Sequence, residues 1–266
     1  MNDWLKNPAS LFDVKGRSTL VVGASGAFGS LAARVLAGAG ANLTLTASKA
    51  EELAKVAAEC IALGAQVEIV QRRSNTEADA NAIVNAAVER FGGVDILVVA
   101  SGMNDVSPIV DMQPERFAKV MEANVTGSWL IAKAAGAQMI KQARGGKVVF
   151  TSSARGLLGH PAGYTAYCAS KSAIDGITKA LGCEWGKHAI TVNAIAPTVF
   201  RSPLTSWMFE NNEKANTARA GFLARVPIGR LGEPSDLAGP LLFLCSKASD
   251  FYTGHILYAD GGYTAG

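Results

Sequence analysis

The chain has 266 residues, with 25 basic against 22 acidic side chains and a net charge of +3. That length suits one α/β domain with a full core. The near balance of charge argues against nucleic acid or an anionic membrane as the main partner. The four scattered cysteines (Cys60, Cys168, Cys183, Cys245) and three histidines (His160, His188, His255) lack the spacing of a disulfide framework or a metal site, so no metal is expected. The opening MNDWLKNPASLF lacks a basic segment leading into an apolar one, and a cytoplasmic, reducing location is the expectation.

Short apolar or β-branched runs predict strands at 19–22, 43–46, 67–70, 96–99, 148–151, 190–195 and 255–258. Between them lie alanine-rich amphipathic stretches of helical length, such as 50–63 and 77–91. The uncharged stretch 35–48 is too short and too polar to span a bilayer, and reads as a helix end running into a strand. Alternation of this kind implies right-handed βαβ units. The expected fold is α/β: one Rossmann-like, doubly wound parallel sheet of about seven strands over residues 1–266, helices on both faces. One segment breaks the rhythm. Residues 203–227 carry Trp207, Met208 and Phe209 without a strand pattern, a candidate substrate lid.

The first site signal follows the first strand: Gly23-Ala24-Ser25-Gly26-Ala27-Phe28-Gly29, running into a helix. Gly23 would permit a sharp turn and Gly29 a close helix–sheet contact, while the helix N-terminus offers free N–H groups to a pyrophosphate. Glycines also end strands for structural reasons, so this motif decides little by itself. The second signal is Tyr167 with Lys171, four residues apart and therefore on one helix face. A cation beside a phenol favours phenolate and draws its pKa from about 10 toward the working range, giving a proton donor or acceptor. This spacing also arises by chance.

The company of the pair is more specific. Ser152-Ser153 ends an apolar run at a strand's carboxyl end, where open α/β sheets bind ligands. Asn124 sits early in a predicted helix, and Asn193-Ala194-Ile195-Ala196-Pro197 ends the sixth strand. In order and separation these features resemble the short-chain dehydrogenase/reductase family, from about Leu11 to Asp260-Gly261-Gly262.

The resemblance implies roles. Tyr167 matches the family's acid/base, and Lys171 the lysine that tunes it and holds the nicotinamide ribose. Ser153 matches the serine that bonds the substrate oxygen, and Asn124 the asparagine of a proton-relaying water chain. Ser25, Ala27 and Phe28 join the glycines around the cofactor, with Ala100, Gly102, Pro197 and Ser202 toward its nicotinamide half. A homotetramer or homodimer paired through helices at about 125–141 and 165–185 is implied as well. There are departures. Val22 and Ala27 replace the family's threonine and middle glycine, Val99-Ala100-Ser101-Gly102 replaces Asn-Asn-Ala-Gly, and Pro197-Thr198 replaces Pro-Gly. Ser153 precedes Tyr167 by fourteen residues where thirteen is usual, one extra residue in the loop 155–166.

The second strand runs into Ala47-Ser48-Lys49, without the carboxylate that would accept the adenosine ribose hydroxyls. A hydroxyl and a cation there, with Arg72-Arg73 after the third strand, favour NADP over NAD. Ser48 and Lys49 could equally be a helix cap and a solvated charge. Arg155, His160 and Tyr164 in the extra loop, and Trp207 in the lid, are the candidate substrate contacts. They point to a small polar alcohol or ketone with a carboxylate or several hydroxyls. The tail from Ser246-Lys247-Ala248-Ser249-Asp250 to Tyr258-Ala259-Asp260-Gly261-Gly262 resembles that of gluconate and polyol dehydrogenases, which implies a sugar acid or polyol. A 3-oxoacyl thioester reductase is the alternative, and a non-catalytic dinucleotide sensor a remote one.

Overall fold

The computed structural model describes residues 3–266. Seven strands form one parallel sheet in the order β3-β2-β1-β4-β5-β6-β7. They are β1 (Ser18–Val22), β2 (Asn42–Thr46), β3 (Val67–Val70), β4 (Ile96–Val99), β5 (Gly146–Thr151), β6 (Ile190–Pro197) and β7 (Ile256–Ala259). Their apolar runs reflect burial on both faces, and alternate residues of one strand enter different cores. Val21 packs with α2 (Ala27–Gly38), α3 (Ala50–Ala62) and α9 (Pro234–Cys245). Its neighbours Leu20 and Val22 pack with α4 (Glu77–Phe91), α6 (Gly127–Gln142) and α7 (Thr165–Trp185). This is the expected doubly wound sheet.

Strand ends depart from expectation by at most two residues: β5 begins at Gly146, and β6 carries its ladder on to Pro197 opposite Ala259. The short α1 (Asp3–Lys6) and a 3₁₀ turn at Pro8–Phe12 precede the sheet. The segment 203–227 contains a 3₁₀ turn (Ser206–Phe209) and α8 (Glu213–Leu223). Asn124 does not begin a helix. α5 (Pro114–Met121) runs into α6 through a π-turn, Glu122–Thr126, and Asn124 lies in its middle. The wide turn is a common device for re-aiming a side chain inside a helix. Among the described residues no helix is long and apolar enough to cross a membrane.

The chain leaves β1 for β2 and β3 on one side, then returns to β4 on the other. The carboxyl ends of β1 and β4 therefore border a crevice, the usual ligand position in such sheets.

Candidate active site

Gly23 turns the chain out of β1 with φ of +80°, a conformation that disfavours side chains, and a Cβ there would lie 2.5 Å from the Ser101 amide nitrogen. A Cβ on Gly29 would collide with the Gly23 carbonyl. These two glycines bring the start of α2 against the β4 loop. α2 opens at Ala27 behind Gly26 without a side-chain cap or an acid in its first turn. Its N-terminal amides are left for an anion.

A cleft of about 430 Å³ opens there, and its lining includes Gly23, Ser25, Ser48, Lys49, Arg73, Ala100 and Gly102. The Arg73 guanidinium donates to the Ser48 hydroxyl at 3.0 Å, while Arg72 is taken by Asp79. Lys49 rather than Ser48 stands at the start of α3, and its ammonium pairs with Glu52 at 3.2 Å, 70% exposed. The cation aimed at this end of the cleft is Arg73. A second recess of about 150 Å³ joins Ala27 and Phe28 to Pro197 and Ser202.

On α7, Tyr167 and Lys171 share a face, with the ammonium 5.5 Å from the phenol's ring centroid. Lys171 donates to the Thr151 carbonyl at 2.8 Å. Burial pulls its pKa down to about 8, and Asp175 one turn on resists this. The phenol does not show the expected depression. Burial raises the Tyr167 pKa and outweighs the opposing Ser153 hydroxyl.

Ser153 follows β5 in extended geometry, and its hydroxyl accepts from the Arg155 amide at 3.1 Å. Ser152 beside it donates to Asp175 at 2.5 Å, tying the strand end to α7. The buried Asn124 amide is fully engaged. It donates to the Met103 carbonyl at 2.8 Å and the Ser170 hydroxyl at 2.9 Å, and accepts from the Met103 amide at 2.7 Å. It clamps the β4 loop to α7. A Cβ on Gly102 would approach both Asn124 Oδ1 (3.3 Å) and Lys171 Nζ (3.8 Å), so the cleft and Lys171 meet at Gly102.

The substrate candidates fall into two groups. His160 packs on Tyr164 at 4.4 Å between ring centroids, and Tyr164 meets Tyr167 edge-on at 6.3 Å. Arg155 donates to the Gly159 carbonyl at 2.7 Å and to the Tyr263 hydroxyl at 2.8 Å. Trp207 stands apart on the 3₁₀ turn of the segment 203–227, partly exposed, with Lys214 5.5 Å from its ring. Tyr263 was not foreseen from the sequence. It stands in the tail after Asp260-Gly261-Gly262, far along the chain from the loop it meets.

The family model described as enoyl-(acyl carrier protein) reductase matches residues 23–264. An uncharacterized oxidoreductase of Mycobacterium tuberculosis is 48% identical over 257 residues, covering 96% of this chain and 93% of that protein. The galactitol 2-dehydrogenase (L-tagatose-forming) of Cereibacter sphaeroides is 33% identical, with 96% and 98% covered. The crystal structure of a gluconate 5-dehydrogenase from Burkholderia cenocepacia, in complex with NADP and tartrate, superposes with a TM-score of 0.89. It is 28% identical and covers 98% of this chain and 100% of that one. Likeness of this extent, over a site built in this way, settles the family: the chain belongs to the short-chain dehydrogenases/reductases and is an oxidoreductase dependent on a nicotinamide dinucleotide.

Proposed function

We propose that the protein interconverts a secondary alcohol and a ketone with NADP(H), on a small polar substrate such as a sugar acid or polyol. The observation that carries this reading is the one-turn pairing of Tyr167 with Lys171, beside Ser153 at the end of β5.

Tyr167 is the acid/base. Its burial keeps the phenol protonated at neutral pH, ready to donate to a ketone oxygen during reduction. Alcohol oxidation needs the deprotonated form, so alkaline pH favours that direction. Ser153 holds the same oxygen and steadies the charge that develops on it. The Lys171 ammonium stabilises the phenolate left behind and holds the nicotinamide ribose hydroxyls. Asn124 positions the β4 loop through its three hydrogen bonds.

The residues fit a dinucleotide. A glycine cradle that a Cβ would fill, with Ser25, Ala27 and Phe28, suits the pyrophosphate. Ala100, Gly102, Pro197 and Ser202 suit its nicotinamide half. When bound, the nicotinamide supplies or accepts the hydride. Preference for NADP(H) rests on the absence of a carboxylate after β2 and on Arg73 at Ser48, and the Burkholderia relative solved with NADP supports it. The galactitol and gluconate dehydrogenases support the substrate class. The loop of Arg155, His160 and Tyr164, and the lid 203–227 with Trp207, border the substrate. The four cysteines, all free thiols, support a cytoplasmic site of action, and we assign a homotetramer or homodimer to the working protein.

The test is nicotinamide fluorescence over a panel of polyols, sugar acids and 3-oxoacyl thioesters with both cofactors. Turnover of a polyol or sugar acid, with higher kcat/KM for NADP(H), is expected. Turnover confined to thioesters, or a clear preference for NAD(H), contradicts the reading.

A further inference from the structure

Two guanidiniums converge on one phenol beside the acid/base. Arg155 Nη2 donates to the Tyr263 hydroxyl at 2.8 Å, and Arg225 Nη1 donates to the same oxygen at 3.1 Å. Both also lie against the Tyr263 ring, at 5.3 and 4.5 Å from its centroid. The three residues come from separate parts of the chain: the loop after Ser153, the end of the lid, and the C-terminal tail. A small core of Ala154, Val226 and Tyr263, with Phe222 and Leu223 against it, fixes them together, and Phe222 stacks on Tyr263 at 5.2 Å.

Like charges held this close repel unless an anion joins them. Among the described residues neither Arg155 nor Arg225 has a carboxylate within ion-pair distance, although seven other arginines do. Nearby acids are already used. Asp175 accepts from Ser152, and Asp260 accepts from the Gly262 and Thr264 amides and the Thr264 hydroxyl. Arg225 is exposed and spends only Nη1 on protein, so its Nη2 and Nε remain as a fork for a carboxylate. The pair lies close to the chemistry. Ser153 accepts from the Arg155 amide, and the His160 imidazole is held below its ordinary pKa by burial and then by both guanidiniums.

We infer that Arg225 and Arg155, gathered on Tyr263, form the subsite for a carboxylate at the end of the substrate remote from the reacting carbon. The inference rests on the alcohol–ketone reading above and deepens it. Of the substrate classes considered, it selects the sugar or hydroxy acid over the neutral polyol. Because Arg225 closes the lid segment, the carboxylate also fastens the lid to the loop that carries Ser153.

The test uses the NADP-loaded protein and calorimetric titration with tartrate, with threitol as the neutral four-carbon counterpart and inorganic phosphate as a bare anion. Tartrate is expected to bind at least about tenfold tighter than threitol and than phosphate. Arg225→Gln, at an exposed position, should weaken tartrate by about tenfold to a hundredfold and leave threitol and NADPH affinity unchanged. Arg225→Lys should recover part of the loss, since it restores charge without the fork. Equal binding of tartrate and threitol, phosphate binding as tightly as tartrate, or an undiminished preference in Arg225→Gln would each overturn the subsite. Tyr167→Phe separates the two readings. It should keep the tartrate preference, so a failure of the acid/base assignment leaves this result intact.

Discussion

Burying the Lys171 ammonium forfeits hydration that the Thr151 carbonyl and Asp175 only partly return, and its proton is lost near pH 8 instead of the ordinary 10.5. The folded state then carries a cost below pH 8. Between pH 8 and 10.5 the unfolded chain holds this proton while the folded chain has released it, so stability rises with pH through that window. The shift corresponds to about 3 kcal/mol. Lys171→Met lacks this dependence. In urea unfolding at a series of pH values, the stability of the parent should gain about that amount on Lys171→Met between pH 8 and 10.5. A constant difference across the window would contradict the buried, depressed lysine. The pairing of Tyr167 with Lys171 was legible in the sequence because helix geometry puts residues four apart on one face. The direction of the tyrosine's shift was not, because it depends on how deeply the phenol is buried. Tyr263 and Arg225 were illegible for a different reason: they meet through tertiary packing, 38 positions apart in the chain and with no shared period.

At the scale of elements, the turns after β2 and β3 meet at one end of the cleft, where we propose that the cofactor's adenosine lies. Lys49 faces solvent and pairs with Glu52, whereas Arg73 reaches across to Ser48. A 2′-phosphate beside Ser48 would therefore meet Arg73 first. Arg73→Ala should lower kcat/KM with NADP(H) by about ten- to a hundredfold, the worth of one charge-assisted contact of about 1.5–3 kcal/mol. It should leave NAD(H) nearly untouched. Lys49→Ala should cost NADP(H) less than about threefold, because an exposed paired cation contributes little. Equal losses with both cofactors in Arg73→Ala would contradict this. The strands themselves were readable because a sheet covered on both faces needs continuous apolar runs. The π-turn at Asn124 was not, since the extra residue of a wide turn leaves no mark in composition, and the asparagine reads as a helix start.

Across the whole molecule, α6 and α7 share one face of the sheet with α4. The outer surface of α6 leaves Trp129 44% and Ile140 36% exposed. Exposed apolar side chains on one helix favour association, and we propose that these two belong to the helix pairing expected from the sequence. Sedimentation at micromolar concentration should give a multiple of the 27.6 kDa chain mass, and Trp129→Glu should shift it toward the single chain. A stable monomer in the parent would contradict the assembly. The doubly wound sheet was legible because alternation of strand and helix leaves few topologies open. Assembly leaves a weaker trace, since an interface helix and a solvated one differ by only a few side chains.

In the proposed reaction Tyr167 moves the proton while the rest of the site holds the cofactor. Tyr167→Phe removes only the phenol hydroxyl and keeps the ring that packs on Tyr164. The most direct test is the turnover of this variant on the best alcohol or ketone of the panel, with NADPH affinity measured in parallel. Turnover should fall by about a hundredfold or more at saturating substrate while NADPH binding is unchanged. Activity within tenfold of the parent would contradict the account.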